Sequence, residues 1–531
     1  MPDVHREVEL KYAADDAFEL PALTELVAGE QGRFSLSEGS PLSEGEVAQQ
    51  RLDATYFDTE DLRLAAAGLT LRRRTGGDDA GWHLKVPAGT ATRSEVRLPP
   101  GRVPPGRTPR VVPAELQAMV WARTFGAPLH PVARIRTERT VRRLTDATGQ
   151  VVAEVADDRV SAQRLGLLEG SGEAAGAATS WREIEVELTD GLGDLSEHLD
   201  SRLRDSGLRE APAASKLAQI LGQDGLAREV VDGGKLSTTS SSGEVLLAHI
   251  REQVAQVLAQ DLPVRLDAPD AVHKMRVATR RLRSALTTFK PLFDADVARP
   301  LRDELKWLAG ELGAARDAEV MRDRVHTAVA SEAHDAALRS GAEAAQTELT
   351  EAYRTAHDRV LAELDGDRYH RILESLRGLV EQPPLRKKAK GRAGKVLPPL
   401  VGRSYDKVRG FVDDAENRPA GAEREELLHD ARKAAKQARY AGESVAPVFG
   451  KKATAFAAAM EDVQEALGEH QDSVLTRERL RDLALHASST EVAFLYGRLH
   501  ALEEAHGQQS HEHFDAAWKA AGRTSLHRWL K

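Results

Sequence analysis

The chain of 531 residues has no cysteine, which excludes disulfides and thiolate metal sites and leaves Asp, Glu, His or water to hold any metal. It has no apolar run approaching the roughly 18 residues of a membrane span. Its first thirty residues carry Glu7, Glu9, Asp15, Asp16 and Glu19 where a signal peptide would need an apolar core. A cytoplasmic location with no membrane partner is therefore expected. Aromatic residues make up only 5% of the chain, leaving few rings for base stacking, and a formal net charge of -9 opposes bulk attraction to nucleic acid. What the sequence has in abundance is charge, 30% of residues, and that charge is unevenly spread. The length suggests about three domains, or fewer large ones.

Two segments set the reading of the first half: Glu7-Val8-Glu9-Leu10-Lys11 and Trp181-Arg182-Glu183-Ile184-Glu185-Val186-Glu187-Leu188. Side chains alternate between the faces of a strand, so Glu7, Glu9 and Lys11 share one face, as do Glu183, Glu185 and Glu187. Such rows repel one another unless they face water or a cation. The strands between carry cations on the same two-residue rhythm: Arg72 and Arg74, His83 and Lys85, Arg93 beside Glu95, Arg134 and Arg136, then Glu154 with Asp158. Antiparallel strands with one apolar and one charged face can close into a barrel whose lumen is charged, its outside covered by helices such as one predicted near 193–210. A lumen rich in Arg, Lys and Glu suits a polyanion with its metal ions.

Taken in order, these motifs, with Tyr56-Phe57-Asp58-Thr59, Leu71-Arg72-Arg73-Arg74, Trp82-His83-Leu84-Lys85 and Ser215-Lys216-Leu217, make residues 4 to 220 resemble a CYTH domain of the triphosphate tunnel metalloenzymes. The resemblance implies that Glu7, Glu9, Glu185 and Glu187 hold Mg²⁺ or Mn²⁺. It implies that Arg72, Arg74, Arg134, Arg136 and Lys216 grip a triphosphate, and that Lys11 and Lys85 complete the catalytic set. Arg93, Glu95, Glu154, Asp158 and Glu183 are expected in support.

A Gly- and Ser-rich stretch, 223–243, reads as a flexible linker between a domain at 1–222 and another at 244–525. Residues 165–180, rich in Gly and Ala, read as a hairpin insertion. Beyond the linker, 3.6-residue periodicity predicts helices almost throughout. Two halves, about 244–380 and 401–525, repeat one another across a basic hinge at 382–400: His273-Lys274-Met275-Arg276 with Arg280 and Arg283 in the first, His429-Asp430-Ala431-Arg432 with Lys433, Lys436 and Arg439 in the second. His273, Arg276, Arg280 and Arg283 form one helical stripe, and His429, Arg432, Lys436 and Arg439 another. Leu312-Gly313 and Leu467-Gly468 follow at matching distances, their glycines suited to close helix packing, with Asp317 and Asp472 placed to orient the cations.

This region resembles a CHAD domain, and the resemblance implies that the basic stripes bind inorganic polyphosphate. The predicted fold class is α+β multidomain, a closed antiparallel β-barrel with flanking helices followed by an all-α domain of two repeated bundles. The leading functional expectation is a triphosphatase converting tripolyphosphate to pyrophosphate and phosphate. Adenylate cyclase, nucleoside or thiamine triphosphatase, or a non-catalytic polyphosphate-granule protein remain open, as do the oligomeric state and the choice between the two metals.

Overall fold

The computed structural model describes residues 3–28, 42–87, 92–101, 111–166, 178–188, 193–226, 235–331, 336–419, 421–487 and 489–531. The chain forms two compact units, Met1–Asp232 and Gly233–Lys531.

The first unit contains strands β1 (Asp3–Ala14), β2 (Ser43–Glu44), β3 (Ala48–Asp58), β4 (Thr70–Thr75), β5 (Gly81–Pro87), β6 (Thr92–Leu98), β7 (His130–Thr145), β8 (Val151–Arg164), β9 (Thr179–Leu188) and β10 (Arg209–Glu210). All pairings are antiparallel, in the order β1-β6-β5-β4-β3-β7-β8-β9, and β9 pairs again with β1. The expected closed barrel needs one correction. Asp3–Val8 of β1 carries β6 and Val8–Ala14 carries β9, with β10 flanking Tyr12 and Ala13, so the sheet wraps back onto a split strand rather than closing along a continuous seam. Residues 167–177 of the expected insertion lie outside the described residues.

Alternation gives this sheet its two faces. Tyr12, Val152, Val155, Ile184 and Val186 pack outward against Leu195, Leu199 and Leu203, which recur every four residues on helix α1 (Gly193–Asp205), the cover predicted near 193–210. Helix α2 (Lys216–Leu226) buries Leu217 and Leu221 against Ala54, Ile135 and Val160. Each buried leucine contributes about 2 kcal/mol, and this outer core offsets the cost of the charged lumen. Asp58, fully buried, folds the β3–β4 corner by accepting from the backbone N–H of Thr59 (2.7 Å), Leu64 (2.9 Å) and Ala65 (2.9 Å).

In the second unit, α3 (Ser242–Arg265), α4 (Ala271–Thr288), α5 (Ala295–Ser331), α6 (Ala336–Leu364) and α7 (Asp367–Glu381) precede the basic connector, and α8 (Ala393–Glu416), α9 (Ala422–Phe449), α10 (Lys451–Leu485) and α11 (Thr490–Ala521) follow it. Helices α3–α6 and α8–α11 correspond in order, with α7 an addition to the first half. The stripe-bearing helices α4 and α9 pack on each other. The end of the expected linker is ordered: Ser241 Oγ accepts from the Glu244 N–H (3.2 Å) and the Glu244 carboxylate accepts from the Ser241 N–H (2.9 Å), a capping box that starts α3.

Candidate active site

The acidic wall arises from strand register. Glu9 on β1 lies opposite Glu187 on β9, and Glu187 lies opposite Glu154 on β8, placing three carboxylates abreast on adjacent strands. Directly opposed like charges destabilise a sheet, so such a row is a place for a cation. Carboxylate oxygens of Glu9, Glu185 and Glu187 lie within 4.8 Å of one another, and hard oxygen donors at that spacing fit Mg²⁺ or Mn²⁺. Glu7 belongs to the same face of β1, opposite Arg93 of β6. The side chains of Glu7 and Arg93 lie outside the described residues. Lys11 Nζ stands 2.6 Å from Glu185 and 3.1 Å from Glu9.

A second carboxylate trio, Asp158, Glu183 and Glu185, also has oxygens within 4.8 Å, and it already holds a cation. Lys216 Nζ lies 2.9 Å from Asp158, 2.6 Å from Glu183 and 2.7 Å from Glu185, and donates a hydrogen bond to the last. Arg139 grips Asp158 through two bonds of 2.8 and 2.7 Å and donates to Glu185 at 2.5 Å. Burial alone would raise the Glu185 carboxyl, but Lys11, Lys216 and Arg139 together hold it well below the usual carboxylate range. In Glu183, burial prevails over the attraction of Lys216 and raises the carboxyl.

The basic wall stands across the sheet, since β4, with β3, is farthest from the β9–β1 pair in the pairing order. Arg72 and Arg74 on β4 and Lys85 on β5 line the cavity. Among them, buried Glu95 pairs with Arg97 Nε (2.6 Å) and His83 Nδ1 (3.1 Å) and lies 3.7 Å from Arg72 and 3.9 Å from Lys85. Arg74 pairs with Asp79, yet burial, then Arg72 and Arg139, press its guanidinium down to about 9. The Nε–H groups of Arg72 and Arg74 are buried without an acceptor. An anion entering here meets donors that need it.

The cavity between the walls is about 280 Å³, lined by eight Lys or Arg and seven Asp or Glu, a balance of 8 − 7 = +1 among the described residues. A triphosphate carries several negative charges, so the lining does not neutralise it unaided and accompanying cations are required.

Several sequence-predicted residues lie elsewhere. Arg134 and Arg136 are on the opposite face of β7 from the cavity, where Arg134 grips Asp53 (2.9 and 2.6 Å) and Arg136 lies 3.5 Å from it. The cavity arginines of β7 are Arg139 and Arg143, the latter bonded to Glu154 at 2.8 Å. Both parities of this 16-residue strand carry arginine, so alternation alone did not choose the inward face. Arg97, Tyr56 and Gln50 also line the cavity and were not anticipated as site residues. Tyr56 belongs to a quoted motif, and its hydroxyl accepts from Arg72 at 3.3 Å.

In the second unit, Arg280 and Lys436 hold corresponding places on α4 and α9. Burial and then Arg280, Arg432, Arg276 and Arg439 press Lys436 down to about 7, and Arg280 is lowered by burial and Arg276. Each repeated glycine makes room for the arginine of its own half: a Cβ on Gly313 would lie 3.6 Å from the Arg276 guanidinium, and one on Gly468 2.9 Å from that of Arg432. Asp317 lies 3.4 Å from Arg276, while the side chain of Asp472 is outside the described residues. Arg439 is drawn to Glu443 (2.8 Å) and Glu461 (2.7 Å), and Lys433 to Asp430 (3.0 Å). His273 and Lys274 are exposed, and His429 and Arg283 half-buried.

The family model of the CYTH domain matches residues 5–199, and that of the CHAD domain residues 248–481. The chain belongs to the CYTH–CHAD two-domain family. Two Mycobacterium tuberculosis proteins are similar to the chain over nearly its whole length: Uncharacterized protein MT2285 of strain CDC 1551 / Oshkosh and Uncharacterized protein Rv2226 of strain H37Rv, each 36% identical over 528 residues, covering 97% of this chain and 96% of theirs. Among solved structures, PptA from Streptomyces chartreusis is 23% identical at a TM-score of 0.43, covering 53% of this chain and 100% of its own. The CHAD domain from the plant Ricinus communis is 23% identical at a TM-score of 0.43, covering 57% of this chain and 96% of its own. Among the described residues of this CYTH–CHAD chain, no helix is long and apolar enough to cross a membrane.

Proposed function

We propose that the CYTH unit is a metal-dependent triphosphatase that hydrolyses tripolyphosphate to pyrophosphate and phosphate, and that the CHAD unit binds inorganic polyphosphate. The observation that carries this reading is the opposition of walls in one small cavity: carboxylates of β1 and β9 face the under-compensated Arg72 and Arg74 of β4. CYTH domains are metal-dependent, and Glu9, Glu185 and Glu187, with Glu7 from the same face of β1, would hold Mg²⁺ or Mn²⁺, which when bound neutralises phosphate charge and lowers the pKa of water. Arg72 and Arg74 offer planar forks to non-bridging phosphate oxygens, and Lys85 and Lys11 add point charges. Glu95 fixes the height of Arg72 and Lys85 on the wall, while Arg143 and Glu154 orient each other at the rim. Attack of water on the terminal phosphorus breaks the bridging P–O bond, and the basic wall stabilises the charge that develops on the departing pyrophosphate. In the CHAD unit, Arg276, Arg280, Arg432 and Lys436 form a cationic cluster across α4 and α9 whose mutual repulsion a polyanion relieves.

The test is phosphate release from tripolyphosphate, ATP, thiamine triphosphate and long-chain polyphosphate with each metal, with cyclic AMP assayed in parallel. Preference for tripolyphosphate, reduced at least a hundredfold in Glu9→Gln and Glu187→Gln, supports the reading. Cyclic AMP as the main product from ATP would replace it with a cyclase.

A further inference from the structure

The connector between the two helical halves is a cationic feature that the stripes of α4 and α9 do not include. From Gln382 to Tyr405 the chain holds no carboxylate, and Arg386, Lys387, Lys388, Lys390, Arg392 and Lys395 fall within ten residues. All six side chains are exposed, and no ion pair joins any of them to a described residue. A run of like charge usually belongs to a disordered tail, because repulsion extends the chain. This one is tied to its neighbours by backbone hydrogen bonds at both ends. The Arg386 N–H donates to the Leu292 carbonyl (2.9 Å) and the Asp294 N–H to the Pro384 carbonyl (2.8 Å). At the other end, the Ser242 N–H donates to the Gly391 carbonyl and the Ala393 N–H to that of Ser240, both at 2.8 Å. Ala389 is buried, and α3 approaches so closely that a Cβ on Gly243 would lie 2.8 Å from Leu385. Backbone bonds and packing thus hold together six charges that repel one another.

Placement supplies the second observation. The strap is bonded behind the turn Lys290–Leu292 that ends α4. The stripe of α4 therefore runs from His273 to exposed Lys290, about 25 Å at 1.5 Å per residue, and the strap takes over where it stops.

We propose that residues 386–395 form a second contact for inorganic polyphosphate, continuous with the α4 stripe, which selects long chains over short ones. This rests on the polyphosphate reading of the CHAD unit. A chain held on the α4 and α9 stripes by its first phosphates presents its next ones to the strap at high effective concentration, so the strap adds affinity only for polymers long enough to span both. RNA offers comparable charge, but the strap presents no aromatic side chain between 382 and 404 on which a base could stack.

The test uses the full chain carrying Lys387→Gln, Lys388→Gln, Lys390→Gln and Arg392→Gln. Long-chain polyphosphate affinity is expected to fall about tenfold or more, and the slope of log affinity against log salt to shrink by roughly 3. Tripolyphosphate affinity and turnover should change less than twofold. Exchanging Lys for Arg and Arg for Lys at the same four sites should preserve long-chain binding, and Lys388→Glu alone, at an exposed position, should weaken it even if the quadruple variant misfolds. No binding by the unaltered protein would overturn the polyphosphate reading itself. Unaltered affinity in the variants while the parent binds would overturn the strap alone. Tighter retention of single-stranded RNA than of polyphosphate, lost with the strap charges, would also overturn it in favour of nucleic acid.

Discussion

Lys216→Met tests whether the buried trio of Asp158, Glu183 and Glu185 depends on the ammonium among them. Methionine keeps the length and apolar stem of lysine, so the perturbation is loss of one charge at a site only 8% exposed. Stripping one partner from a buried ionic cluster costs about 3 to 5 kcal/mol. The trio can escape part of this by binding a proton, and Glu183 already has a raised pKa through burial. Relative to an unfolded carboxyl at 4.5, holding one proton costs 1.36 kcal/mol for each pH unit above that value, about 3.4 kcal/mol at pH 7 and about 0.7 kcal/mol at pH 5. The sign follows from linkage. The folded variant retains a proton that the unfolded chain has released, so its stability is intact below the unfolded pKa and is lost as pH rises toward the raised folded one. With an m-value of about 2 kcal/mol/M in urea, the midpoint should drop by roughly 1.7 M at pH 7 and roughly 0.35 M at pH 5. Pulse proteolysis across a urea series, following the N-terminal unit, reads both shifts. Equal shifts at the two pH values, or none, would refute the assignment of Lys216 as the counter-ion of the trio.

Three further expectations follow from the geometry. Arg139→Ala and Arg143→Ala should lower tripolyphosphate turnover at least tenfold, whereas Arg134→Ala and Arg136→Ala, bonded to Asp53 away from the cavity, should leave it within twofold in steady-state assays. Gly468→Ala should weaken polyphosphate binding several-fold because its methyl meets Arg432 at 2.9 Å, while Gly313→Ala, with 3.6 Å to Arg276, should be milder, as titration calorimetry of both variants would show. Lys436, held down to about 7 by burial and four neighbouring arginines, should take up a proton when a polyanion binds. Affinity should therefore decline between pH 6.5 and 8.5, with heats that differ between buffers of different ionisation enthalpy, and Lys436→Met should abolish that difference.

The charged lumen was legible because alternation is a local property: Glu9, Lys11, Glu185 and Glu187 each announce their face through their immediate neighbours. The duplication was legible because stripe and glycine recur at matched spacing. What failed was frame and partnership. Strand β7 carries arginines on both faces, and only its register against β3, which sets Arg136 opposite Asp53, shows which pair points outward. Lys216, which the resemblance assigns to the triphosphate, does line the cavity, but its pairing with carboxylates of β8 and β9, more than twenty residues away, had no local signal. Arg439 fits the stripe by spacing, yet Glu443 one turn on and Glu461 on α10 claim it.

The split pairing of β1 has a consequence for biosynthesis. Glu9 leaves the ribosome early and Glu185 and Glu187 nearly two hundred residues later, and only the β1–β9 ladder brings them together. Such a long-range closure is slow, since loop entropy is lost before the ladder compensates it. A nascent chain that has emerged only through β8 therefore displays the basic wall while the carboxylates of β9 are still missing from the acidic one. The two walls therefore come to face one another only at a late step, when the helical half is still to be made.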